Sequence, residues 1–392
     1  MRGEPVVGIQ PSVMRWARES AGMSVDDVAT RLKRQLAEVE SWESGDGAPT
    51  YPQLERLAYE LYKRPLAVFF LPEPPQEVSP RQQFRTLPAE ELASLSRDTY
   101  LHLRKARAYQ VGLEDLYSET NPAPRKIWHH VSLQRNQDVA AQAMNIRREL
   151  GIDSPTQAQW GGDDQALKAW RSAIERMGVF VFKDSFKQKT ISGFCLRDHE
   201  FPLIYINNST TKTRQIFSLL HELAHILFDV SGISKFDTSY IRELPVREQE
   251  LEVFCNAVAA EVLIPFDEFS RVTAGVPSNV DALDDAYFSG VARHFGVSRE
   301  AILRRFLDAG RATRNFYESK AREWTDQMVE RDGGGGSWYA SKGAYLSDTL
   351  LQEVFARRLR GQLSSERAAE YLGVKPANLP GLEDLVLHRT RN

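Results

Sequence analysis

Three observations predict a mostly helical α+β fold. The first seventy residues break into short helical segments with clear starts and stops. Three β-type runs then follow one another between residues 179 and 209, and most of the remainder returns to helical periodicity. The expected organisation is a helical bundle over 1–75, a helical linker over 76–139, a domain with a small three-stranded sheet over 140–331, and a glycine hinge with a helical tail over 332–392. At roughly 150 residues per domain, 392 residues suffice for two or three.

"PSVMRWARESAGMS" opens on Pro11 and Ser12 and stops at Gly22, a start and an end for one helix. Ser24 is placed to cap "VDDVATRL", where Asp26 and Asp27 favour the helix dipole. Val25, Val28, Ala29 and Leu32 give that segment one apolar face. A third short helix is expected in "QLAEVESWES" up to Gly45, and a fourth in "YPQLERLAYELY". The Pro-rich stretch from Pro72 to Pro80 marks a linker. "SRDTYLHLRKARAYQVGLEDLYSE" predicts a long amphipathic helix, and "DDQALKAWRSAIERMG" one closed by Gly178. "VFVFKDSF", "ISGFCLRD" and "PLIYINNS" are rich in Val, Ile, Phe and Tyr between polar turns, as strands are. Two helices come next, about 212–229 and "REQELEVFCNAVAAEVLI", and further ones in "LDDAYFSGVARHFG", "SREAILRRFLDAG" and Arg314 to Arg331. The run Gly333 to Gly336 lacks the strand before it and the Lys-Ser or Lys-Thr after it that a phosphate loop needs, so a hinge is expected.

Composition narrows the function. Charged residues make up 26% and hydrophobic ones 42%, ordinary for a chain with real cores, and the net charge of −3 provides no global pull toward DNA or a membrane. Two cysteines far apart, Cys195 and Cys255, argue against a disulfide scaffold and fit a reducing compartment. The N-terminus lacks the apolar core of a signal peptide and no run approaches a membrane span, so a cytoplasmic location is expected.

The chemistry concentrates in "FSLLHELAHILFDV". His221 and His225, four residues apart, share one helix face, where two imidazoles can grip one Zn²⁺. Glu222 is placed to take a proton from water activated at the metal, the logic of H-E-x-x-H zinc peptidases. Leu219, Leu220, Leu223, Ile226 and Leu227 supply the core face of the same helix. A catalytic zinc needs a third protein ligand and an open position. Asp229 would have to fold back along its own helix, which makes the following helix the better source. There Glu248, Glu252 and Asn256 line one edge, and periodicity leaves Glu248 and Glu252 level.

"HELAH" followed by "ELEVFCNAVAAEVLIP" resembles the ImmA/IrrE family of metallo-endopeptidases, whose second helix carries E-x-x-A-N-x-F-A-x-x-L-L-x-P. The resemblance implies a zincin-like domain with zinc ligands His221, His225 and Glu252, Glu222 as catalytic base, and Asn256 supporting the site. Cys255 replaces the family's alanine and Val258 its phenylalanine, both packing changes. The likeness spans roughly residues 140–330. His199 and Tyr240 are candidate donors to an oxyanion opposite the metal.

Residues 9–72 resemble a Cro/C1-type (XRE) helix-turn-helix, with Trp42, Glu43, Gly45 and Pro49 matching its W-E-x-G-x-x-x-P signature. Candidate DNA contacts are Arg31, Lys33, Arg34, Gln35 and Ser41, but Glu38, Glu40 and Glu43 repel a phosphate backbone. The two resemblances imply an intracellular zinc endopeptidase acting on a protein regulator, such as a helix-turn-helix repressor or a toxin–antitoxin or stress-response component. The alternative is a transcriptional regulator or antitoxin, paired with a cognate toxin, in which the metal domain is a scaffold or sensor. Double-stranded DNA and a second copy of the chain are the further candidate partners, and a membrane is not.

Overall fold

The structure is a computed structural model describing residues 4–64, 66–76, 94–235, 238–329 and 338–389. It divides into two compact units, one formed by 1–105 with 186–188 and the other by 106–185 with 189–392. The predicted glycine hinge, like much of the Pro-rich linker, lies outside the described residues.

The smaller unit begins with α1 (Pro11–Ser20), α2 (Val25–Leu32), α3 (Leu36–Ser44) and α4 (Tyr51–Glu55), which continues as a π-helical stretch over Arg56–Tyr62. Ser24 and Asp27 form a capping box at the start of α2, Ser24 Oγ accepting from Asp27 N at 3.0 Å. Lys33 adopts a left-handed conformation with φ of 56° and turns the chain from α2 into α3. Val13, Ala17, Val28, Leu32, Val39, Trp42 and Leu57 make the shared core. Arg18 clasps the buried Glu43 with two hydrogen bonds of 2.7 and 2.9 Å, tying α1 to α3.

The long helix α5 (Arg97–Leu116) contributes its first turns to that unit and the rest to the larger one. The larger unit continues with α6 (Val139–Leu150) and α7 (Asp163–Arg176), then β1 (Phe180–Asp184), β2 (Ile191–Leu196) and β3 (Leu203–Asn207). Next come α8 (Lys212–Leu227), β4 (Gly232–Lys235) and α9 (Val246–Leu263). The mostly helical α+β class is as expected, but the sheet has four strands, in the order β1-β3-β2-β4. β1 and β3 run parallel, while β2 is antiparallel to both β3 and β4. The fourth strand, "GISK", is too short to show an alternating pattern, and its pairing with β2 defines it.

Both faces of the sheet are covered, which is why β2 and β3 read as continuous apolar runs. α8 packs on one face through Leu219, Leu220, Leu223 and Ile226, in a core shared with α7 and α9. On the other, Tyr109 of α5 stacks on Phe182 at 4.2 Å and Phe194 on Tyr205 at 5.1 Å. Helices α10 (Asp285–Phe295), α11 (Arg299–Asp308) and α12 (Arg314–Val329) follow α9.

The C-terminal helices α13 (Trp338–Tyr345), α14 (Asp348–Leu359), α15 (Ser365–Leu372) and α16 (Leu379–Arg389) belong to the same unit. Their attachment is polar and buried. Arg171 of α7 donates to the carbonyl oxygens of Val181 at 2.8 Å, Ala344 at 2.7 Å and Leu346. Glu175 accepts from the Thr349 amide at 3.1 Å. The clamp lies at the β1 edge of the sheet, the edge opposite β4.

Candidate metal centre

Thr211 starts α8 by accepting from the Arg214 amide at 3.3 Å, and Asp229, with φ of 64°, turns the chain out of it. The five leucine and isoleucine side chains that seat α8 in the core leave His221 and His225 facing α9 and Glu222 facing β4, all three buried. α9 begins after Pro245 and ends before Pro265, and it presents Glu252 to the histidines from a buried position.

His221 Nε2 and His225 Nε2 lie 3.0 Å apart. Each is 3.3 Å from an oxygen of the Glu252 carboxylate. Ligands at about 2.0–2.1 Å from a tetrahedral zinc stand roughly 3.4 Å from one another, so three buried donors at these separations fit one such ion. Among the described residues, His221, His225 and Glu252 are the group of His, Cys, Asp and Glu side chains that converge in this way. Two buried polar atoms beside them, His221 Nδ1 and Glu222 Oε2, lack a hydrogen-bond partner, as expected where a further ligand or solvent belongs. Glu248, level with Glu252 by periodicity, is half-buried and outside this group.

The electrostatics are those of a desolvated cluster. Burial alone would lift the Glu252 carboxyl, but His225 and His221 hold it well below the usual carboxylate range. Burial likewise opposes protonation of His225, yet Cys255 and Glu252 raise its pKa. Glu222 is raised by burial, with the two histidines opposing. Its Oε1 accepts a 2.5 Å hydrogen bond from Ser234 of β4, which leaves Oε2 as its open oxygen.

A cavity of about 230 Å³ opens onto the cluster, lined by His221, Glu252, Ser234, Tyr240 and Asn256 at this end. Tyr240 donates to Glu252 Oε2 at 3.0 Å. Phe217, Leu263, Ile264 and Val297 make other parts of the wall apolar. His199 is not brought here: its side chain is 88% exposed beside Glu200 in the turn between β2 and β3, which removes it as an oxyanion donor. Asp229 is also turned away, paired with Arg197. The sequence does not single out Ser234, because nothing local links it to Glu222. The link is made across the sheet, by β4 pairing with β2.

In the smaller unit, Arg31, Lys33, Arg34 and Gln35 are exposed around the turn between α2 and α3. Ser41 is half-buried, and its hydroxyl donates to the Glu38 carbonyl at 2.7 Å. The exposed face of α3 carries Leu36, Ala37 and Glu40.

The buried His-His-Glu cluster with an adjacent glutamate sits on the segment where the comparison with known families falls. Residues 174–307 match the Peptidase_M78 family model, the IrrE N-terminal-like domain. That segment includes the four strands, α8 and α9, and with them every residue of the cluster. Among solved structures, a Mycobacterium tuberculosis transcriptional regulator is similar at 18% identity and a TM-score of 0.28, over 43% of this chain and 46% of that one. The chain therefore spans less than half the length of that protein. No curated protein matches the sequence. Among the described residues, no helix is long and apolar enough to cross a membrane.

Proposed function

We propose that the chain is a zinc-dependent endopeptidase with a regulatory role, cleaving a protein partner at the centre formed by His221, His225 and Glu252. The observation that carries this reading is the pairing of three converging buried donors with a glutamate that has one tethered and one open oxygen. A scaffold that only held a metal would have no use for Glu222 in that state.

The roles follow from position. His221, His225 and Glu252 hold the cation. When bound, zinc would supply polarisation of the peptide carbonyl and a lowering of the pKa of water toward about 7. Glu222 accepts the proton of the attacking water and passes it to the leaving amine, and Ser234 keeps its carboxylate in one orientation. Tyr240, whose phenol lines the cavity beside Glu252, is the donor placed to steady the developing oxyanion. The cavity wall of Phe217, Leu263 and Ile264 shields these steps from bulk water.

The matched family domain supports a metallopeptidase-type regulator, and the helical N-terminal unit is read as its helix-turn-helix module. Its substrate is then a protein regulator, in keeping with a repressor or toxin–antitoxin component. The exposed α3 face of Leu36, Ala37 and Glu40 favours contact with protein over readout of base edges.

Glu222→Gln tests the mechanism. The zinc-loaded variant is used to capture its partner from the native cell extract, and wild-type protein is then added to the captured partner. The expected result is cleavage by wild type at one peptide bond, with a loss on the order of 10²–10⁴-fold in the variant at unchanged zinc content. Equal cleavage by both proteins overturns the assignment of Glu222.

A further inference from the structure

Both cysteines of the chain, sixty positions apart, bear on His225, Cys255 directly and Cys195 through the Gly232 backbone. Cys255, one turn beyond Glu252 on α9, places Sγ 3.8 Å from His225 Nδ1. Cys195, on β2, accepts from the Gly232 amide at 3.3 Å. Gly232 in turn presses on the ring: a Cβ there would stand 2.9 Å from His225 Cγ and Cδ2. The imidazole is thus packed by backbone that Cys195 holds, and met at its rear nitrogen by the sulfur of Cys255. Both thiols are fully buried.

We propose that Cys255 is a positioning residue for the metal centre. Its sulfur accepts the His225 Nδ1–H and so fixes the ring with Nε2 turned toward His221 and Glu252. A metal-bound histidine usually donates its second N–H to a carboxylate or a carbonyl, which sets both tautomer and ring angle. A neutral thiol does this without a further charge in a site that already buries the carboxyls of Glu222 and Glu252. The sulfur is large enough to reach Nδ1 from a helix position where an alanine would leave that N–H unpaired. His221 serves as the internal contrast, because its Nδ1 is buried with no partner.

This inference rests on the metal centre proposed above and is tested separately from its catalysis. Zinc affinity of the full-length protein is measured by chelator competition for wild type, Cys255→Ala and Cys255→Ser, with helicity checked by circular dichroism. The alanine variant is expected to lose roughly tenfold in affinity and the serine variant to recover most of that loss. Loading the same proteins with cobalt(II) reports the His225 ring N–H directly, as a hyperfine-shifted proton whose exchange into D₂O is slow in wild type and faster in Cys255→Ala. Wild-type affinity and unchanged exchange in the alanine variant overturn the positioning role while leaving the zinc site standing. Equal losses in the alanine and serine variants reduce Cys255 to packing. Failure of wild type to bind zinc at all contradicts the centre itself.

Discussion

Lys183 shows how far burial and neighbouring cations move a side chain in this protein. It lies on β1, almost fully buried, with Gln215 Oε1 3.4 Å away. Burial first, and the nearby Arg171 and Lys212 after it, push its ammonium down from 10.5 to about 7. The unfolded chain holds this proton between those two values and the folded chain does not, so folding stability rises with pH across the window. The slope is at most about 1.4 kcal/mol per pH unit. Lys183→Met removes the cost of the buried charge, so its stability advantage over wild type should shrink from pH 7 to pH 9 in urea unfolding. A constant advantage would show that Lys183 keeps its proton through pH 9 in the folded chain, as a solvated ammonium does. Around the metal centre, sequence reveals side chains on one helix better than contacts between elements. His221, Glu222 and His225 share an edge of α8 because the leucines occupy the other, a pattern visible in eight residues. The choice of Glu252 over Glu248 depends on the angle at which α9 meets α8, which no local pattern carries. Ser234 and Cys255 were hidden for the same reason, as their partners come from other elements.

At the scale of elements, the helices and the first three strands are readable because many have their own punctuation: Ser24 as a cap, Gly45 and Gly178 as stops, and β-branched runs between turns. β4 lacked such signals, and it is the strand that carries Ser234 to Glu222 and lays Gly232 against His225. The attachment of the C-terminal helices was equally invisible, since it runs through backbone carbonyls that accept from Arg171. Arg171 and Glu175, 3.4 Å apart and both buried, form the clamp. Arg171→Ala leaves Glu175 as an unpaired buried acid, which should cost about 3–5 kcal/mol. The same change should open residues 346–359 to proteolysis. Limited trypsin digestion checks this: early cuts at Arg357 or Arg358 in the variant are expected, and an unchanged digestion pattern would mean that apolar packing alone holds α14.

At the scale of the whole molecule, the chemistry belongs to the larger unit and the helix-turn-helix resemblance to the smaller one. Composition foretold this modesty of charge: at −3 overall, neither unit is pulled to a polyanion by bulk field, and recognition falls to local surfaces. The family match covers residues 174–307, so the zinc-peptidase chemistry proposed for the chain stands on that segment and on the donors it gathers. The most direct test is the zinc content of purified wild-type protein against His225→Ala, measured by atomic emission after exhaustive dialysis. One zinc per chain in wild type and none retained in the variant is the predicted result. Equal zinc in both proteins, or none in wild type under zinc-replete expression, would contradict it.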